Sequence, residues 1–212
     1  MQNLISELER MCWNTDFNRY EALNIARQLD LNQVFLSSTK RYTFSYKTTF
    51  LEEAVESLNI PMVELLLQNG ADPNFIDPKG EADHIFWTLQ FADGTTKEED
   101  NIRLEIAELM LHYGADPNCQ DDNEELLTEI INSYLELEGL PISIDCLKEY
   151  GMRFMILLIA YGGKSSSYPV EIVKDFDKSN LKQYKLKKIF PFGRKVTLGV
   201  IVDGEGNTVA YV

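Results

Sequence analysis

Residues able to do chemistry are present, but their spacing assembles no catalytic site. There are two histidines, His84 and His112. Neither stands in the His-x-x-x-His or His-Glu-x-x-His spacing that puts two imidazoles on one helix face around zinc. His84 is expected on a first helix as a partly packed polar residue. His112 is expected near a helix end, where it complements the dipole. Cys12, Cys119 and Cys146 make no Cys-x-x-Cys pair, and three thiols at wide spacing are not a disulfide framework. Cys119 follows a turn and is the thiol expected to be most accessible. Gly204-Glu205-Gly206 lies between two strand-like segments rather than ahead of a helix, so it reads as a turn and not a phosphate cradle. Carboxylates cluster at Glu98-Glu99-Asp100, Asp121-Asp122 and Glu124-Glu125. With 34 acidic residues in the chain, some pair can always be nominated as acid and base, so coincidence explains the clusters better. The 121–125 stretch lacks the alternating ligands and central Gly of a calcium loop. The expectation is a protein that is not an enzyme and that holds neither cofactor nor metal.

Charge narrows the partners. Thirty-four acidic against 20 basic residues give 212 residues a net charge of −14. Such a chain repels phosphate backbones, which argues against nucleic acid. The longest apolar run, Phe154 to Ala160, is far shorter than the roughly 20 residues a membrane-spanning helix needs. The N-terminus has Glu7 and Glu9 close behind Met1 and neither a basic head nor an apolar signal core. A soluble cytoplasmic protein is expected, with no membrane partner. The charge is uneven: residues 49–163 hold 24 acidic and 5 basic residues, net −19. Lys182, Lys185, Lys187, Lys188, Arg194 and Lys195 form a basic run without an acid. It is expected to offset the self-repulsion of the acidic body.

The elements that would position a site come from an internal repeat. Val63-Glu64-Leu65-Leu66-Leu67-Gln68-Asn69-Gly70-Ala71-Asp72-Pro73-Asn74 recurs as Ala107-Glu108-Leu109-Met110-Leu111-His112-Tyr113-Gly114-Ala115-Asp116-Pro117-Asn118. A weaker copy runs from Met155 through Leu157-Leu158 to Gly162-Gly163-Lys164. Each block ends a helix that is apolar on more than one side, so neighbours must cover it. Each Gly stands where the helix stops, in a left-handed conformation that Gly alone adopts without steric penalty. The Pro that follows in the two stronger copies cannot continue a helix. Helices that cannot bury their apolar faces alone bury them jointly by stacking.

These blocks resemble the ankyrin repeat. Thr49-Phe50-Leu51-Glu52-Glu53-Ala54 is similar to that family's Thr-Pro-Leu-His-x-Ala opening, with Phe50 for Pro and Glu52 for His. Asp77 and Gly80 match the turn that starts the next unit, and Asp121 repeats the turn aspartate, with Glu124 where Gly is usual. The family period is about 33 residues. The Gly positions are 44 and 48 apart, so two units are longer. The excess is placed in a polar loop at 91–101, after a first helix at 82–90 and before a second at 102–113, and in a second loop at 136–144. The resemblance implies a mainly α fold, an ankyrin-like helical solenoid with an N-terminal helical cap and a C-terminal β-hairpin. Residues 1–48 form the cap, 49–166 about three repeats and 167–212 the extension.

In the cap, Leu4, Ile5, Leu8, Met11 and Cys12 follow helical spacing, as do Tyr20, Leu23, Ile25, Ala26 and Leu29. Asp16 or Asn18 caps the second helix. Residues 31–48 are less regular and finger-like around Tyr42–Tyr46. In the extension, 195–203 and 208–212 are β-branched and strand-like around a turn cluster at 204–207 and read as a hairpin, with Lys188–Phe192 as one candidate third strand and a short helix near 170–176. The resemblance further implies binding of another protein through a concave face formed by Pro78, Lys79, Glu81, Leu89, Gln90, Asp122, Asn123, Glu125, Ser133 and Tyr134. Trp87 departs from the family, which has a small residue there, and reads as core or as an aromatic anchor for the partner. The acidic charge points to a basic protein partner captured by a monomer. An inhibitor, such as an immunity protein masking a toxin's basic site, is the sharper form of that reading. A scaffold using the C-terminal hairpin as a second site is the alternative, with a small-molecule enzyme behind it.

Overall fold

Polar side chains ahead of apolar runs start the helices. The computed structural model describes residues 2–37, 46–76, 89, 96–121, 124–136, 145–166, 170–171, 200–202 and 208–211. The first helix, α1 (Gln2–Cys12), is followed by α2 (Arg19–Ala26). Asn18, rather than Asp16, caps α2: its side chain accepts the backbone N–H groups of Tyr20 and Glu21 at 3.1 and 3.2 Å, satisfying two of the helix's orphan donors.

Two short strands then pair antiparallel, β1 (Phe35–Leu36) with β2 (Lys47–Thr48). They lead into a helix pair, α3 (Phe50–Glu56) and α4 (Ile60–Gln68). Thr49 and Glu52 form a reciprocal capping box at the start of α3. Asn59 caps α4 and Pro61 occupies its first turn, where a missing N–H loses nothing. Between the two helices Leu58 is left-handed, φ 57°. Met62, Val63, Leu65, Leu66 and Leu67 of α4 are all buried. That set covers more than half of the helix circumference, and α4 accordingly packs against both α2 and α3.

A longer helix, α5 (Lys97–His112), starts earlier than the sequence pattern suggests. Thr96 and Glu99 explain this. Glu99 N–H donates to Thr96 Oγ1 at 3.2 Å, and Thr96 N–H donates to Glu99 Oε2 at 2.8 Å. The polar 97–101 stretch is therefore a capped first turn, not loop; three acidic residues there suit the positive end of the dipole. Next come β3 (Gln120–Asp121) and β4 (Glu124–Glu125), an antiparallel pair, and the helices α6 (Leu126–Glu136) and α7 (Asp145–Ala160), which pack together. The order hairpin, helix, helix thus occurs twice.

Gly70, Gly114 and Gly162 end α4, α5 and α7 at φ 99°, 94° and 94°. The residue after each donates back five positions: Ala71 to Leu66, Ala115 to Met110 and Gly163 to Leu158, at 3.0, 3.0 and 2.8 Å. This is a Schellman closure, and it requires the left-handed residue that glycine supplies.

At the C-terminus β5 (Val170–Glu171), β6 (Val200–Val202) and β7 (Thr208–Tyr211) form an antiparallel sheet in the order β5-β6-β7. The hairpin is β6–β7, and its third strand comes from Val170–Glu171. That corrects the expected helix at this point: Val170 is β-branched and takes up ladder pairing with Ile201.

The chain divides into two compact units, Met1–Leu89 with Leu109–Ala115, and Gln90–Glu108 with Asp116–Val212. The first unit's core includes Leu8, Phe50, Met62, Leu65 and Leu66; the second's includes Ile106, Leu126, Tyr150 and Phe154. Among the described residues there are seven helices, and none is long and apolar enough to cross a membrane.

Candidate protein-binding surface

The β1–β2 hairpin is built from a two-residue alternation. Phe35 turns inward, 8% exposed, and its ring lies 4.5 Å from that of Phe50. Its neighbour Leu36 turns outward and is 61% exposed, in register with exposed Lys47. Ser37 N–H donates to the Tyr46 carbonyl at 2.9 Å and closes the pair.

Three carboxylates hold this hairpin from beneath. Ser37 Oγ donates to Glu9 Oε1 at 2.8 Å, Tyr46 Oη to Glu53 Oε1 at 2.8 Å and Thr48 Oγ1 to Glu52 Oε2 at 3.0 Å. The Trp13 indole N–H donates to the other oxygen of Glu53. Glu9 and Glu53 are fully buried. Burial pushes the Glu52 carboxyl up to about 7, against its bonds from Thr48 and Thr49. Burial likewise raises Glu53, opposed by Trp13 and Tyr46 and reinforced by the nearby charge of Glu9. Burial, then the charges of Glu53 and Glu9, also push the Cys12 thiol well up, so it remains a protonated, unreactive thiol at neutral pH.

The β3–β4 hairpin is tied differently. Glu125, directly ahead of α6, accepts the Ser166 backbone N–H at 2.6 Å, the Ser166 hydroxyl at 3.1 Å and the Thr128 hydroxyl at 3.0 Å. The Ser166 backbone bond leads the other contacts in holding this carboxyl below the usual range. Relative to Thr49 and Glu52, the two side-chain types are exchanged: the acid precedes the helix and the threonine stands three residues on.

A third arrangement recurs at the turns. The Asn32 side-chain amide donates to the Gly70 carbonyl at 3.3 Å, and its oxygen accepts the Asp72 N–H at 2.8 Å. Asn74 donates to the Gly114 carbonyl at 2.9 Å. In the second unit, Asn118 donates to the Gly162 carbonyl at 3.4 Å and accepts the Lys164 N–H at 2.9 Å. Each asparagine is itself set by an aspartate two residues earlier: Asp30, Asp72 and Asp116 accept the N–H of Asn32, Asn74 and Asn118 at 3.0, 2.9 and 2.9 Å. These are Asx turns.

No family model, no curated protein and no solved structure matches this chain. The functional reading therefore rests on its own residues.

Of the residues expected on the concave face, Leu89 is fully buried; its apolar side chain serves the core of the first unit and is not presented to a partner. Glu125 is half-buried, and its bonds to Thr128 and Ser166 give it a structural task. Ser133 and Tyr134 lie on α6. Pro78, Lys79, Glu81, Trp87, Gln90, Asp122 and Asn123 lie outside the described residues, as does His84. Cys119, expected to be accessible, is 7% exposed. Its carbonyl accepts the Leu126 N–H at 3.1 Å. His112 is exposed and meets Tyr113 edge-on. Among the described residues no group of three or more His, Cys, Asp or Glu side chains could hold a metal ion.

Sequence reasoning missed the asparagine brackets and the carboxylates under β1–β2. The first had a legible signal: Asp30-Leu31-Asn32 repeats the Asp-x-Asn of the stronger blocks, hidden because Gln28 stands at the glycine position. The second had none, because Glu9 and Glu53 are brought to one hairpin only by the packing of α1 on α3.

Proposed function

We propose that the chain is a protein-binding module of the ankyrin type that captures a basic protein along its hairpins and the helices following them. The observation that carries this reading is the asparagine bracket. It ties the turn after one helix to the end of a later helix 38, 40 and 44 residues on, a recurring link that supports units in contact with their neighbours. The twice-repeated order of hairpin, helix and helix supports the same architecture.

A binding role draws on what the turns expose. Leu36 and Ile76, 61% and 63% exposed, each follow a bracket asparagine by a few residues. Such exposed apolar side chains within a polar rim suit a contact surface. Asp30, Asp72, Glu98, Glu105 and Asp116 are exposed, whereas Glu53, Asp100 and Glu108 are buried. Among the described residues of 49–163, the exposed acids Asp72, Glu98, Glu105 and Asp116 outnumber the exposed base Lys97. Long-range attraction of this kind speeds encounter with a basic surface, and a partner that works through its basic surface would be inhibited by the docking.

The test is to capture the partner with the full chain and measure association between 50 and 500 mM salt. A steep fall in rate, with Leu36→Ser weakening binding at every salt concentration, is expected. A rate indifferent to salt together with unchanged binding by Leu36→Ser rejects the proposal.

A further inference from the structure

We propose that Glu52 and Glu53, packed with Glu9, form a proton-responsive anchor for the β1–β2 hairpin, so that proton loss from Glu52 and Glu53 lets the hairpin open. The geometry is one-sided. Three hydroxyl donors of the hairpin, Ser37, Tyr46 and Thr48, each donate to one of these carboxylates. The contacts are largely buried: Ser37 is 7% exposed, Thr48 0%, Glu9 1% and Glu53 0%, while Glu52 is half-buried beneath fully buried Thr48. Opening the hairpin would return the carboxylates to water, where the ionised form is far better solvated. The closed hairpin therefore holds protons more tightly than the open one, and by linkage rising pH favours opening.

The surrounding charges push the same way. From α1 come Glu9 and Cys12, from α3 Glu56 beside Glu52 and Glu53, and from the hairpin Tyr46. Lys47 is exposed on β2. Glu64 of α4 faces Arg19 of α2 instead, at 3.3 Å. With Glu52 moved from 4.5 to about 7 when closed, linkage shifts opening roughly tenfold between pH 6 and pH 8. The relevance to partner capture rests on the protein-binding reading; the opening itself does not.

Hydrogen exchange on the full chain without a partner tests it, read by mass spectrometry at pH 6, 7 and 8 and corrected for intrinsic exchange. Residues 35–37 and 46–48 are expected to open about tenfold more at pH 8 than at pH 6, while α4 keeps its protection. Glu52→Gln retains both bonds made by Oε2 and should flatten most of the dependence. Equal protection of 35–37 and 46–48 at both pH values overturns the anchor, and the wild-type chain alone decides that. So does a loss spread evenly over α3 and α4, or a dependence that survives in both Glu52→Gln and Glu53→Gln. A pH-dependent hairpin in a chain that captures no basic protein would sink the proposed function and keep the anchor.

Discussion

Asn32 and Asp72 lie 40 residues apart, yet Oδ1 of Asn32 accepts the backbone N–H of Asp72 at 2.8 Å, just past the helix end at Gly70. Asn118 makes the same bond to Lys164 in the second unit. Replacing either asparagine by Ala removes a donor and an acceptor together. Each substitution should cost about 1–2 kcal/mol, read as a lower urea midpoint. Asn118→Asp keeps the acceptor and loses the donor to Gly162, so it should fall between wild type and Asn118→Ala. Wild-type midpoints for both alanine variants would show that the brackets contribute nothing.

Asn59 is fully buried and joins two helix ends. Its Oδ1 accepts the Met62 N–H at 3.2 Å, while Nδ2 faces the carbonyls of Met11, Cys12 and Asn14 at 3.3, 2.9 and 3.2 Å. Asn59→Ala loses the cap of α4 and strands the carbonyls at the end of α1. About 3 kcal/mol of destabilisation is expected in chemical denaturation. Asn59→Asp preserves the cap but sets a charge against three carbonyl oxygens, and should be at least as harmful.

Leu58 holds φ 57° without being glycine. Left-handed backbone costs an L-residue roughly 1–2 kcal/mol, and a β-branched side chain suffers more. Leu58→Gly relieves that strain while losing side-chain contact, so it should stay within about 1 kcal/mol of wild type. Leu58→Val should be clearly worse than Leu58→Gly in the same denaturation assay. The reverse order would place the significance of this position in packing, not backbone.

Stability should respond to pH with opposite signs at two places. Glu52 and Glu53 have carboxyls raised on folding. Their stabilisation is fully present below the ordinary carboxylate range and is lost as pH rises through the folded value, about 7 for Glu52. Glu52→Gln should therefore be more stable than wild type at pH 8, on the order of 2 kcal/mol, and close to it at pH 5. Glu125 is lowered, so its contribution is present above the ordinary range and lost as pH falls through the folded value. The Ser166 amide resonance should lose its hydrogen-bonded shift on acidification, and Glu125→Gln should remove most of that change. Urea midpoints across pH 4–8 check the first, and NMR the second.

Local elements were legible because they depend on nearest neighbours. Asn18 ahead of α2, Thr49 with Glu52, and glycine after α4, α5 and α7 are short-range signals, and the chain folds as they direct. The start of α5 at Lys97 was obscured because the polar run reads as loop unless the Thr96–Glu99 box is recognised. Val170–Glu171 was misread because a two-residue strand exists only through its partner, β6, some 30 residues away.

By itself the sequence determined a mainly helical chain, the glycine stops of its recurring blocks and its acidic sign, since these follow from residue type and spacing. Only the tertiary structure decided which polar residues are spent on the fold. Burial is a property of what packs above a residue. It drew Leu89 and Cys119 inward, tied Glu125 to Ser166, and gathered Glu9, Glu52 and Glu53 beneath one hairpin.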